Sequence, residues 1–280
     1  MTTPYQQPGA PVPDYAAPVD YTSPIPIRKA TLGDALASEW TKIRSVRSTM
    51  WTLGVMVTLL VGIGFLVAVA VSTTDDSYER NDVLTLGFFG TLLGSICVIT
   101  LGVLTIASEY GTGLIRTTLT ACPNRARVLT AKAIVYFLLV FGVTVVTTLL
   151  VGAMHVGMLG GEPDGGQWFR ATLGVSLYLG LLGLLSLSVG TILRHSAGAI
   201  TIMIGVVLLP LVVAMFMVGS SLRGTAEFLL EYSIPSQLGV LYDDALIESG
   251  PQGWDPLWIM AGLTACALAG AYASLFSRDV

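Results

Sequence analysis

The chain has 280 residues, 53% of them hydrophobic and only 11% charged, with a mean hydropathy of +0.75. A soluble globular domain carries about 25% charged residues, so the charges of this chain must be segregated. Asp, Glu, Lys and Arg are absent from residues 48–74, 83–108, 133–161, 171–193, 195–222 and 256–277, and each window exceeds the roughly 20 apolar residues that cross a ~30 Å hydrocarbon slab as a helix. A water-soluble enzyme is thereby set aside in favour of an all-α membrane protein: six transmembrane helices preceded by an amphipathic interfacial helix.

In chain order, residues 1–28 come first. Seven of the thirteen prolines fall within residues 1–27, among Gln, Tyr, Thr and Ala. Such a segment buries too little apolar area to offset chain entropy, and the expectation is a disordered, proline-rich cytoplasmic tail, with a PxxP ligand at Pro8 to Pro13 the less favoured reading. The first apolar run begins near Met50, is longer than a signal-peptide core and has no Ala-x-Ala-like site after it, so the first span is expected to stay in the mature protein. Residues 29–280 then form the six-helix transmembrane domain.

Residues 31–48 are amphipathic. At about 100° per residue, Leu32, Ala35, Leu36, Trp40, Ile43, Val46 and Met50 share one stripe, and Asp34, Ser38, Thr41, Arg44 and Ser45 lie opposite. Trp40 and the basic residues suit the headgroup layer, so this helix is expected to lie on the inner leaflet and bend into the first span near Thr49. Glu39 projects into the apolar stripe. Two readings are open: an i,i+3 pair with Lys42, or a basic or polar group of the protein facing Glu39.

The spans are placed at about 50–72, 83–107, 133–156, 171–193, 197–218 and 256–277. Small residues recur in the second and fourth, and Gly90-x-x-x-Gly94 predicts close helix approach. Pro210, in mid-span, removes an i to i−4 bond and predicts a kink in the fifth span. The connector Ser108 to Lys132 reads SEYGTGLIRTTLTACPNRARVLTAK: an acidic, glycine-containing turn, a short helix over Leu114 to Ala121, a Pro123-Asn124 break and three basic residues leading into the third span. The connector over 219–255 holds two amphipathic pieces, 224–234 and 236–247, separated by Pro235. Neither connector contains a domain-sized core, so any water-phase enzymatic domain must belong to another chain.

With both termini cytoplasmic, eleven Lys and Arg lie inside (Arg28, Lys29, Lys42, Arg44, Arg47, Arg116, Arg125, Arg127, Lys132, Arg194, Arg278) against three outside (Arg80, Arg170, Arg223), as the positive-inside rule requires. Cys97, Cys122 and Cys266 imply no extracellular disulfide framework. None of the three lysines, Lys29, Lys42 and Lys132, follows a glycine, so the phosphate-cradling G-x-x-x-x-G-K-[ST] loop is missing. There is no H-E-x-x-H or C-x-x-C, and no carboxylate lies within the charge-free windows. A proton-coupled pump, a membrane protease and a charged ion pore all need intramembrane ionisable groups, and His155 and His195 are read as interfacial. No metal, no cofactor on this chain and no nucleic-acid partner are expected.

Leu32 to Arg47 (LGDALASEWTKIRSVR) entering directly into a span, followed by the Ser108 to Lys132 connector, resembles the transmembrane subunit of type-2 ABC transporters, a permease group common in actinobacteria. The resemblance implies that the entry helix, with Glu39, Trp40, Lys42 and Arg44, is a connecting helix. It implies that Glu109, Tyr110 and Gly111 open a coupling segment whose docking helix carries Ile115, Arg116, Thr117 and Thr118. Gly111 and Thr112 stand where relatives often have a basic and a further small or polar residue. It further implies a separate ATP-binding subunit, present as a dimer and carrying ATP-Mg, and a second copy of this permease or a paralogous one. The second and fifth spans would line the pathway, with Phe88, Phe89, Thr91, Ser95, Met203, Met215 and Phe216 near the cargo. Charge-free spans suit a lipophilic or amphipathic cargo, exported across the plasma membrane. The alternative is a non-transporting scaffold or sensor subunit whose connector binds another cytoplasmic partner.

Overall fold

The computed structural model describes residues 30–73, 83–217, 222–244 and 249–277. The proline-rich tail expected over 1–28 lies outside them. Among the described residues the regular structure is entirely helical: α1 (Leu32–Ser45), α2 (Arg47–Ser72), α3 (Gly87–Thr112), α4 (Leu114–Ala121), α5 (Arg125–Leu159), α6 (Gly165–Phe169), α7 (Val175–Leu193), α8 (Ser196–Met217), α9 (Arg223–Glu231), α10 (Ile234–Leu241) and α11 (Asp255–Ser277), with one π-helical turn at Arg170–Gly174 joining α6 to α7. Six helices are long and apolar enough to span a membrane: α2, α3, α5, the continuous run Gly165–Leu193, α8 and α11. At 1.5 Å per residue, the 26 residues of α2 reach ~39 Å, enough to cross with some tilt.

Helices α3 and α7 are the most enclosed, and α2, α8 and α11 expose most of their surface. In hydrocarbon, close backbone approach rather than water exclusion holds such helices together. At Gly90, a Cβ would stand 2.9 Å from the carbonyl oxygen of Leu60, so α3 rests directly on the backbone of α2. At Gly102, a Cβ would stand 2.5 Å from the Gly183 carbonyl, where α3 meets α7. Tyr136, fully buried on α5, donates its hydroxyl to the Val98 carbonyl of α3 at 2.8 Å. One apolar cluster joins α3, α7, α8, α10 and α11, and a second joins α2, α3, α4, α5, α7 and α11.

Two local features depart from the pattern in the sequence. The entry helix ends at Ser45, and Val46 alone is extended (φ −83°, ψ 111°), so the bend expected near Thr49 comes three residues earlier. Pro235 does not separate the two pieces of the long connector; it lies in the first turn of α10, where no backbone N–H is needed. Tyr232 and Ser233 make the break, and the Ser233 hydroxyl caps α10 by accepting from Ser236 N. Every residue of α10 is buried, so this connector packs into the bundle. Pro210 lies inside α8, as the sequence places it.

Candidate functional site

Each part of the site is fixed by local sequence. The entry helix α1 starts at a capping box in which Thr31 Oγ1 accepts from Asp34 N and the Asp34 carboxylate accepts from Thr31 N. Its 3.6-residue turn puts Glu39 and Lys42 on one face. The span α3 continues through Thr112, so Glu109, Tyr110 and Gly111 form its last turn rather than a loop. Gly113 is the turn: its φ of 73° lies in the left-handed region that glycine adopts without a Cβ penalty. Helix α4 coincides with the expected Leu114 to Ala121 segment. After Cys122 and Pro123, Asn124 caps α5 by accepting from Arg127 N. Helix α4 is thus clamped between two spans by one residue on one side and three on the other.

On this frame four charged side chains converge from three helices. Lys42 Nζ donates to Glu39 Oε1 at 2.8 Å, to Glu109 Oε1 at 3.1 Å and to Thr118 Oγ1 of α4 at 3.2 Å. Lys132 Nζ of α5 donates to Glu39 Oε2 at 2.6 Å and to Glu109 Oε1 at 2.8 Å. Glu39 and Lys132 are 3% and 1% exposed. The cluster is neutral, with two carboxylates and two ammonium groups. Taking ions out of water costs several kcal/mol each, of the order of 5, unless partners compensate, and here every charge has at least two partners. Burial works to raise the Glu39 carboxyl, but the neighbouring Lys132 and Lys42 outweigh it and hold the group below the ordinary range. Burial likewise works to lower the Lys42 ammonium, and Glu39 and Glu109 outweigh it, so Lys42 is raised. Glu109 Oε2 is buried without a hydrogen-bond partner.

Both readings of Glu39 are therefore realised at once. It pairs with Lys42 along α1 and it meets Lys132 across the interface. Of the large apolar residues of the entry stripe, Ile43 is buried and Leu36 half-buried, while Leu32, Trp40, Val46 and Met50 are exposed, a face suited to lipid. Arg44 is exposed on the same helix.

The remaining site residues divide by location. Ile115 is buried and anchors α4, Thr118 faces Lys42, and Arg116 and Thr117 are exposed together with Leu114. Gly111 is exposed and Tyr110 is half-buried, with the Arg194 guanidinium over its ring at 5.1 Å from the centroid. The pathway candidates are not gathered on one surface of this chain. Thr91 is buried and bonded to the Tyr242 hydroxyl at 2.7 Å, Ser95 donates to the Leu92 carbonyl, and Met203 is in the core. Phe88 packs against the same core, while Phe89, Met215 and Phe216 are exposed.

Lys132 is the residue that sequence reading counted only as one of the inner-side cations leading into the third span. Its helical neighbours at i−4, i−3, i+3 and i+4, Val128, Leu129, Val135 and Tyr136, are all buried, and that pattern marks its face as an inner one. Among the described residues, no group of three or more His, Cys, Asp and Glu is placed to share a metal ion.

Six apolar spans, with a short helix held at the ends of two of them and an ion cluster joining the entry helix to those same two, define a multi-pass membrane protein. The chain belongs to the ABC-2 family of transporter proteins: the model of that family, described as ABC-2 family transporter protein, matches residues 35–226. That range runs from the entry helix through α4 and the fifth span into α9. No curated protein matches the chain. This is the membrane permease component of an ABC transporter, a class that carries transport rather than ATP hydrolysis.

Proposed function

We propose that the chain is the membrane half of an ABC exporter that moves a lipophilic or amphipathic substrate across the plasma membrane, with both termini cytoplasmic. A separate ATP-binding subunit, acting as a dimer with ATP-Mg, supplies the energy, and a second copy of this permease or a paralogous one completes the pathway. The observation that carries this reading is the attachment of α4. Its exposed face, with Leu114, Arg116 and Thr117, is open to a cytoplasmic partner, and its other face holds Ile115 in the core and Thr118 on Lys42.

A push on α4 moves the ends of α3 and α5 together, because Gly113 and residues 122–124 leave little slack. Through Thr118 and Lys42 it also reaches α1, which leads into α2 across the single extended residue Val46. Glu109 has a different part from the exposed docking residues. Its carboxylate accepts Lys42 and Lys132, so it works from inside the lever.

The test is co-purification of this chain from its native membrane, followed by reconstitution in liposomes with any P-loop ATPase that it retains. ATP-dependent movement of a lipophilic dye is expected with both chains present and is absent with either alone. Transport that persists without an ATPase, or an ATPase that never co-purifies, would overturn the proposal.

A further inference from the structure

Beside the ion cluster, between α1, α2, α3 and α4, lies a cavity of about 430 Å³, a size typical of small-molecule sites. Its wall is of two kinds. Ile43, Val46, Leu101, Leu104 and Leu114 supply apolar surface. The rest is hydroxyls and the charged cluster, and the hydrogen-bond inventory of that part is one-sided.

Six of the eight hydroxyls lining the cavity already donate to backbone carbonyls of their own helices: Ser45 to Lys42, Thr52 to Ser48, Thr105 to Leu101, Ser108 to Leu104, and both Thr117 and Thr118 to Leu114. A hydroxyl whose proton is committed presents only lone pairs. Glu109, also in the wall, accepts two lysines on Oε1, and its Oε2 is closed off, so the acceptors open to the cavity are the hydroxyls. The Lys42 protons are directed to Glu39, Glu109 and Thr118, and Lys132 donates to both carboxylates. The cavity therefore offers acceptors, and its two cations are matched by two anions.

The geometry points to a binding site for the primary ammonium head of an amphipathic molecule, with its apolar stem along Ile43, Leu101 and Leu104. An ammonium has three donors and no acceptor, the complement of this wall. A phosphate or carboxylate head would find few protons to accept. The same head comes from two sources, the ethanolamine group of a lipid in the leaflet at the α4 end or a free amphiphilic amine. The site goes beyond the permease reading, because it belongs to this chain without any ATPase.

Native mass spectrometry of the full chain in detergent micelles tests it. The probes are phosphatidylethanolamine, phosphatidylcholine and phosphatidylglycerol, then dodecylamine and dodecyltrimethylammonium. Ethanolamine and choline lipids carry the same charge and differ in N–H donors, so their difference isolates the proposed recognition. A preference of about tenfold for the primary amine is expected, falling by about five- to tenfold in Thr52→Val/Thr105→Val, which removes two acceptors of ordinary hydrogen-bond strength. Both hydroxyls bond only within their own helices, so the fold is retained; Ser45→Ala/Ser108→Ala, at exposed positions, provides the same comparison if the first pair unfolds. Preference for both primary amines supports the site with a membrane source, and preference for dodecylamine alone supports it with a soluble one. Equal binding of primary and quaternary amines, tighter binding of phosphatidylglycerol, or a preference unchanged in both double variants overturns the proposal.

Discussion

Lys132 Nζ stands 2.6 Å from Glu39 Oε2 across 93 residues of sequence, and this contact fixes the entry helix to the third span at the point where α4 begins to be held. Removing Lys132 leaves two carboxylates buried with one cation between them. Breaking a buried pair from one side costs about 3–5 kcal/mol, so Lys132→Met is expected to lower the unfolding free energy in detergent by that amount. That loss is one of unfolding free energy, read as a lower thermal midpoint. Combining Lys132→Met with Glu39→Gln removes the stranded charge and recovers part of it. A double-mutant cycle of unfolding free energies checks both, and strict additivity would show that the two side chains do not interact.

The two shifted groups of α1 set a pH window. Glu39 is held below the ordinary carboxyl value of 4.5, so the stability it contributes is fully present above about pH 4.5 and is lost as pH falls through its lower folded-state value. Lys42 is raised above 10.5; its contribution is fully present below that pH and is lost as pH rises through its higher folded-state value. Thermal midpoints from this cluster are expected to be flat between these limits and to drop at both ends. Glu39→Gln is expected to remove the acid drop and to weaken the alkaline drop as well, because Glu39 is one of the two carboxylates that raise Lys42.

Arg116 on the open face of α4 separates coupling from folding. It is exposed, and surface substitutions away from special features stay within about 0.5 kcal/mol, so Arg116→Glu is expected to leave the unfolding midpoint unchanged. In liposomes with the ATPase, the same variant is expected to reduce ATP-dependent transport by about tenfold, equivalent to about 1.4 kcal/mol of lost docking. Unchanged transport would remove Arg116 from the docking face.

How far the sequence reaches depends on the range of the interaction. Charge-free windows reveal spans because hydrocarbon admits few charges anywhere along a helix, and Leu114 to Ala121 is legible because Gly113 and Pro123 punctuate it. The anomaly at Glu39 is legible as an anomaly, since one carboxylate breaks a stripe. Its partner is not: Lys132 lies 93 residues away, and a lysine before a span already satisfies the positive-inside rule. The burial of α10 is hidden for a similar reason. Its amphipathic pattern suits a surface helix as well as one seated on Tyr178 and Thr91, which its Gln237 and the following Tyr242 reach at 3.3 and 2.7 Å.

The packing of α3 on α2 gives a prediction with an internal control. A Cβ at Gly90 would lie 2.9 Å from Leu60 O and 3.2 Å from Leu60 Cα, both backbone atoms that no rotamer change can move. Gly62, two residues beyond Leu60 on α2, has nothing within 4 Å of its added Cβ. Gly90→Ala therefore forces the two helices apart at their contact, and overpacking of this kind costs about 1–3 kcal/mol. Gly62→Ala meets no neighbour and gains helix propensity, so it is expected to be neutral or to stabilise by up to about 1 kcal/mol. Thermal unfolding of both variants in the same detergent reads the difference directly. If Gly90→Ala unfolds at the same temperature as Gly62→Ala, then α3 does not rest on the backbone of α2 and the close approach is wrong.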